Sequence, residues 1–263
     1  MISEIKGKIS QTGSNLTNRL EDKLTGDFFG AIRYLPFEDG LKGLLSQVEF
    51  AREKDIEEWN KMLSTQIGYA VKYTFWPSHP KGEIDLLIEF GNVIIGIEVK
   101  YMSGISSEDE QTQNEPMNYE ESVHQLSRYS EMLEDRASNR KAYLIFLAPY
   151  SIQQNVKKSL DVKYQISPFV TVGFVNWEDL HTEIVQRSQL AKPGVQQLIL
   201  TDTEQLLRVK RLVRYSGFTN KNTTQNMPHV PYVFYKNNNL AGSTWTWQEI
   251  HLTEEQPYVY KTT

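Results

Sequence analysis

The chain has 263 residues, 39% of them hydrophobic and 23% charged, with no cysteine. A chain of this size buries roughly 70–75% of its unfolded surface, and this composition excludes disordered and fibrous proteins, disulfide scaffolds, thiol catalysis and cysteine-ligated zinc. The 28 Lys+Arg and 33 Asp+Glu leave a formal charge of −5, which excludes a long-range basic field, so that any site for a polyanion must be local.

Met1 to Lys8 lacks the apolar core of an export signal. Apolar runs such as Val93 to Ile97, which contains Gly96 and is followed by Glu98, fall far short of the roughly 20 residues of a membrane span. A cytoplasmic protein without membrane contact is expected.

In chain order, Leu16, Leu20, Leu24, Phe28 and Ile32 recur every four residues and predict a helix that Pro36 stops. Leu41, Leu44, Leu45, Val48, Ile56, Trp59, Met62 and Leu63 continue a helical period with a charged opposite face, which predicts a long surface helix. At Tyr69 the period changes. Tyr69–Trp76 is β-branched and aromatic and ends in a Pro-Ser-His-Pro-Lys-Gly turn cluster, and Ile84–Phe90 and Val93–Tyr101 follow as strands around Gly91-Asn92, a tight hairpin turn.

Ser103–Met117 is acidic and aperiodic, the composition of a loop able to act as a lid. A helix is predicted over Glu120–Leu133, strands over Tyr143–Pro149 and Val170–Trp177, and helices over Glu178–Gln189 and Val195–Tyr215. The expected architecture is α/β: a mixed sheet flanked by helices, with helical and β additions toward the C-terminus. Residues 1–216 are expected to form the main domain, with its core at about 16–177, and residues 217–263 an aromatic, β-prone extension packed on it.

The chemistry concentrates on the hairpin. Glu-x-Lys occurs at Glu4/Lys6, Glu21/Lys23 and Glu98/Lys100, but only the third lies in a strand whose alternate residues, Val93, Ile95, Ile97 and Val99, are all β-branched and ready for burial. Counting outward from Gly91-Asn92 sets Asp85 directly opposite Glu98. Carboxylates facing each other at roughly 5 Å repel unless a cation lies between them. Lys100 is one such cation and a divalent metal the other, and Gly96 leaves room for a ligand to approach the backbone. Hard oxygen donors on rigid strands suit Mg²⁺, with Mn²⁺ as a substitute, better than zinc, and the histidines at 79, 124, 181, 229 and 251 lack zinc spacing. A lysine beside such a metal holds or deprotonates an attacking water and offsets phosphate charge, which is the chemistry of phosphodiester hydrolysis.

Gly82-Glu-Ile-Asp85, the hairpin and Ile97-Glu-Val-Lys100 together resemble the PD-(D/E)xK nuclease superfamily, with its restriction-endonuclease-like fold. The stretch from Leu20 to Gly30 is similar to the family's first helix, and Gln125-Leu-Ser-Arg-Tyr129 is similar to a Gln-xxx-Tyr element that some members carry. Ile84 stands where the motif has its proline. The resemblance spans about Leu16 to Trp177. It implies Asp85 and Glu98 as metal ligands, Lys100 as the water-activating residue, Glu21 as an auxiliary acid at the metal, and Gln125 beside the catalytic set. It also implies a Mg²⁺-dependent deoxyribonuclease serving restriction, repair or defence against foreign DNA, while the acidic net charge points to a homodimer or larger complex that supplies part of the nucleic-acid surface. RNA and branched DNA are equally compatible substrates, and the rival reading is a catalytically silent binding or scaffolding subunit.

Each of these positions also has a plain structural use. Asp85, Glu98 and Lys100 are also compatible with a surface salt-bridge cluster, and Asn18-x-x-Glu21 with a helix cap, with Asp22 competing for the auxiliary acid's place. Gln125 and Tyr129 share one helix face, able to reach the metal site or a DNA phosphate or simply to pack. Arg208, Lys210, Arg211 and Arg214 form the one local basic run, suited either to a phosphate backbone or to a solvated helix face. Trp245, Trp247, Tyr258 and Tyr260 are read as packing the tail onto the core, with base stacking as the other use.

Overall fold

The computed structural model describes residues 16–101, 119–163 and 166–214. By compactness the chain divides after Tyr215, and all described residues belong to the first unit. The expected acidic lid and aromatic extension lie outside the described residues.

The sheet is mixed and six-stranded. Its strands are β1 (Glu49–Phe50), β2 (Lys72–Phe75), β5 (Leu86–Phe90), β6 (Val93–Val99), β7 (Lys141–Ala148) and β8 (Val170–Asn176), and β3 (Ser78–His79) and β4 (Gly82–Glu83) form a separate small hairpin. The order across the large sheet is β1-β8-β7-β6-β5-β2, with β6, β7 and β8 parallel to one another and the outer pairings antiparallel. The helices are α1 (Leu16–Ile32), α2 (Leu41–Leu45), α3 (Glu53–Thr65), α4 (Tyr119–Ala137), α5 (Tyr150–Lys163), α6 (Trp177–Leu190) and α7 (Val195–Val209).

Burial follows the period of each element. Leu24, Phe28 and Ile32 of α1 are fully buried and join Trp59, Trp177, Leu200 and Leu207 against one sheet face, where Val93, Ile95, Ile97 and Val99 point. Val123, Leu126, Met132 and Leu133 of α4 and Val156 of α5 cover the other face, against Ile94, Leu144 and Phe146. β6 is thus buried on both sides, as a central parallel strand requires, and Glu98 sits on a face that α4 covers rather than on an open one.

Two expectations change. The long helix predicted over 41–63 is broken into α2 and α3 by β1, which pairs with β8. The cause is tertiary: Gly173 on β8 leaves room that Val48 and Phe50 fill, and a Cβ there would stand 2.5 Å from Val48 Cγ1 and 2.7 Å from Phe50 Cε1. Gly173→Ala is therefore expected to cost about 1–3 kcal/mol by overpacking, read as a lower denaturation midpoint in urea at unchanged m-value.

The second change is α5, an element absent from the sequence reading. Parallel pairing of β7 and β8 needs a crossover, and Ile152, Val156 and Leu160 supply its apolar stripe within an otherwise polar stretch. Boundaries elsewhere move by a few residues, most at α7, which ends at Val209 rather than near Tyr215.

Candidate active site

The β5–β6 hairpin turns at Gly91 (φ 51°) with the register counted from the sequence: Phe90 pairs with Val93 and Leu86 with Ile97. Asp85, one residue before β5, consequently faces Glu98. Its placement is over-determined by backbone contacts. Trp76, held in the left-handed region at φ 48°, donates its N–H to Asp85 O at 3.0 Å, while Asp85 Oδ2 accepts from the Val99 N–H at 2.8 Å. A left-handed tryptophan is costly, and such strain persists where surrounding structure enforces it.

Glu98 is 2% exposed, and its Oε1 lies 2.7 Å from Lys100 Nζ. Lys100 stands just past the end of β6, where its N–H extends the ladder to Leu147 O at 2.7 Å and its carbonyl accepts from Trp177 Nε1 at 2.9 Å. Glu21 arrives from α1: its Oε1 accepts from the Tyr101 N–H at 3.0 Å and its Oε2 lies 3.8 Å from Lys100 Nζ. Two carboxyls of the hairpin and one from α1 thus lie around one ammonium at the carboxyl end of a central strand, the end of parallel strands where α/β sheets place ligand sites. Glu21 is thus a helix acid that reaches this cluster, with Asp22 close enough to act on it.

Burial dominates the electrostatics. Desolvation, with Glu98 adding to it, pushes the Asp85 carboxyl up to about 8, and desolvation raises Glu21 to about 7 against the pull of Lys100 and the Tyr101 N–H. Glu98 is also raised by desolvation, with the Lys100 ammonium opposing. A protonated Asp85 donates to Glu98, so one proton serves the facing pair. Burial alone would lower the Lys100 pKa, but Glu98, Glu21 and Asp85 outweigh it and hold it above the ordinary lysine value.

Other expected residues take different places. Gly96 does not open the site to a ligand: a Cβ there would lie 2.6 Å from Ile84 Cδ1 and 2.9 Å from Leu133 Cδ1, so the close packing of Ile84 and α4 on β6 uses the room. Tyr129, read as a phosphate contact, is 5% exposed and donates its hydroxyl to Glu83 O at 2.9 Å. It thereby anchors the segment leading into Asp85, and Glu98 and Asp85 lie near enough to help desolvation raise its pKa. Gln125, one turn earlier on α4, is half-buried, and its Oε1 is buried without a hydrogen-bond partner.

In the basic run, Arg208 pairs with Glu204 at 2.7 Å and Arg214 pairs with Asp179, which takes both toward the structural reading. Lys210 and Arg211 have no ion-pair partner among the described residues. Trp76, Tyr101 and Trp177 also hold the cluster in place, and the sequence reading does not single them out. Only Trp177 carries a legible signal, a buried indole N–H that needs an acceptor; the indole N–H of Trp76 is buried without one.

Among the described residues, no group of three or more histidine, aspartate or glutamate side chains converges to hold a metal ion, and no helix is long and apolar enough to cross a membrane. Comparison of the chain with protein families, with curated proteins and with solved structures finds no match.

Proposed function

We propose that the chain is a Mg²⁺-dependent nuclease of the PD-(D/E)xK kind, hydrolysing phosphodiester bonds of DNA. The observation that carries this reading is the facing pair Asp85 and Glu98, opposed where repulsion would otherwise forbid it, with Lys100 2.7 Å from Glu98 and Glu21 3.8 Å from Lys100.

The donor chemistry fits the metal. Mg²⁺ keeps several waters and commonly takes only one or two carboxylates, and Asp85 and Glu98 offer that pair, each with one oxygen already oriented by Val99 N–H or Lys100. Bound there, the ion would supply Lewis-acid stabilisation of charge on the phosphate and leaving oxygens. Burial and the facing Glu98 raise the Asp85 pKa in the metal-free protein, which marks the same need for positive charge.

The chain's own groups divide the remaining work. Lys100, held as an ammonium by its carboxyl neighbours in the metal-free protein, donates hydrogen bonds that orient water and offset negative charge on the phosphate. Glu21 ties α1 to the Tyr101 N–H and keeps Lys100 aimed at the facing pair. Tyr129 and Trp76 fix the backbone on either side of Asp85.

The test is incubation of supercoiled, linear and single-stranded DNA, and of RNA, with the protein in Mg²⁺, Mn²⁺ or EDTA, alongside calorimetric titration of Mg²⁺. Cleavage that requires the metal is the expected result. Failure to cleave any substrate, with no heat of metal binding, would replace this reading with that of a catalytically silent binding subunit.

A further inference from the structure

Beside the carboxylate cluster lies a basic turn with an unusual construction. Helix α7 ends in a Schellman motif: Leu212 N–H donates to Leu207 O at 2.9 Å and Arg211 N–H to Arg208 O at 3.0 Å. The second of these donors is the position that in such a motif takes the left-handed conformation and is usually glycine. Here it is Arg211, at φ 58°, with its side chain exposed. The fold therefore holds a guanidinium at a position where glycine would be less strained.

Lys210, just before it, is held against the site. Its Nζ lies 5.2 Å from the centroid of the Tyr101 ring, and Tyr101 Oη donates to Lys210 O at 3.4 Å. Tyr101 follows Lys100 in the chain, and its N–H is the group that Glu21 accepts from. One aromatic residue thus joins the basic turn to the carboxylate cluster. Burial and the neighbouring ammonium of Lys23 hold the Lys210 pKa below its ordinary value, with Asp27 opposing, so that positive charge gathers here at an electrostatic cost. Neither Lys210 nor Arg211 makes an ion pair among the described residues, unlike Arg208 and Arg214, although Asp27 lies near enough to act on Lys210 at longer range.

We propose that the Lys210–Arg211 turn is the phosphate-holding rim of the active site: it takes a backbone phosphate flanking the one presented to Lys100, with the Tyr101 ring as the spacer between them. This rests on the nuclease reading and extends it, by assigning the backbone contact to two of the four basic residues. Helix-end dipoles favour cations near α7's last turn, but that accounts neither for an arginine in a glycine position nor for an ammonium held over Tyr101.

Arg211→Gly tests the rim without endangering the fold, since glycine suits the turn. In fluorescence anisotropy with a labelled DNA duplex and a labelled single strand, in EDTA and in Ca²⁺ across a salt series, this variant is expected to bind about 3–10-fold more weakly, with a log–log salt slope reduced by about 0.7–0.9. Its melting temperature is expected to stay level or to rise by up to about 3 °C. Adding Lys210→Ala should nearly double the loss of slope, whereas Arg208→Ala and Arg214→Ala should each change it by less than half as much. If the parent binds DNA and the double variant keeps its affinity and slope, the rim is overturned and the nuclease reading stands. If the parent binds neither DNA probe, both fall; binding with the expected rim effects but no metal-dependent cleavage would overturn the nuclease reading and leave the turn as the phosphate contact of a binding subunit.

Discussion

Lys100→Met is expected to lower metal-dependent cleavage by about 10³-fold or more and, independently of activity, to make the fold markedly pH-sensitive. Methionine fills the same apolar path, so the change isolates the charge. Without the ammonium, Glu21, Asp85 and Glu98 face one another with no cation, and breaking a buried pair in this way costs about 3 kcal/mol.

That cost should depend on pH through the carboxyls alone. The Lys100 pKa is raised by its partners, so its stabilising contribution is fully present below the unfolded lysine value of about 10.4 and is constant across pH 5–8. The carboxyls behave otherwise. Their folded pKa values already stand above the unfolded ones and rise further when the ammonium is lost, so the variant's folded state binds more protons than its unfolded state and its stability falls as pH rises. Urea unfolding in EDTA should therefore show a large deficit at pH 8 and a small one at pH 5. Equal deficits at both would mean that Lys100 acts through packing rather than charge.

Asp85→Asn carries the second large effect, and it runs in opposite directions for activity and stability. The amide retains the acceptor for the Val99 N–H and donates to Glu98, so it reproduces the protonated Asp85 geometry without needing a proton. In the parent, Asp85 titrates at about 8 in the folded state, against an ordinary value of about 3.9. Folded protein thus holds a proton that unfolded protein has lost across this window, and the parent loses stability as pH rises from about 4 to 8.

Asparagine removes that dependence. In EDTA at pH 8 the variant should exceed the parent by about 2 kcal/mol, or roughly 4–8 °C in melting temperature for a domain of this size, with the gap narrowing at pH 5. Cleavage should fall by about 10³-fold or more, and the stabilisation that Mg²⁺ gives the parent at pH 8 should disappear. A variant that melts below the parent at pH 8 in EDTA would show that the facing carboxyls carry no electrostatic penalty.

The two substitutions separate what the cluster does for the fold from what it does for chemistry. Lys100 serves both, whereas Asp85 opposes the fold's stability while remaining essential to the proposed reaction. A group kept at a cost to stability is the usual mark of a functional position.

Much of this was legible in one dimension because its physics is local. The β-branched alternation of Val93, Ile95, Ile97 and Val99 and the two-residue turn at Gly91-Asn92 determine a hairpin and its register, and the register alone sets Asp85 against Glu98. The four-residue recurrence of Leu20, Leu24, Phe28 and Ile32 determines α1 in the same way.

What only the tertiary structure decided depends on distant partners. Residues 48–50 leave a helical period because Gly173, far along the chain, has room for Val48 and Phe50. Gly96 serves packing because Ile84 and Leu133 arrive to fill its space. Glu21 joins the cluster through the Tyr101 N–H, which lies 80 residues away. The basic run, uniform in sequence, is sorted by Glu204 and Asp179 into paired arginines and an unpaired turn. Periodicity and turn geometry are properties of neighbouring residues and can be read in order; packing room and ion pairing belong to contacts that exist only once the chain has folded.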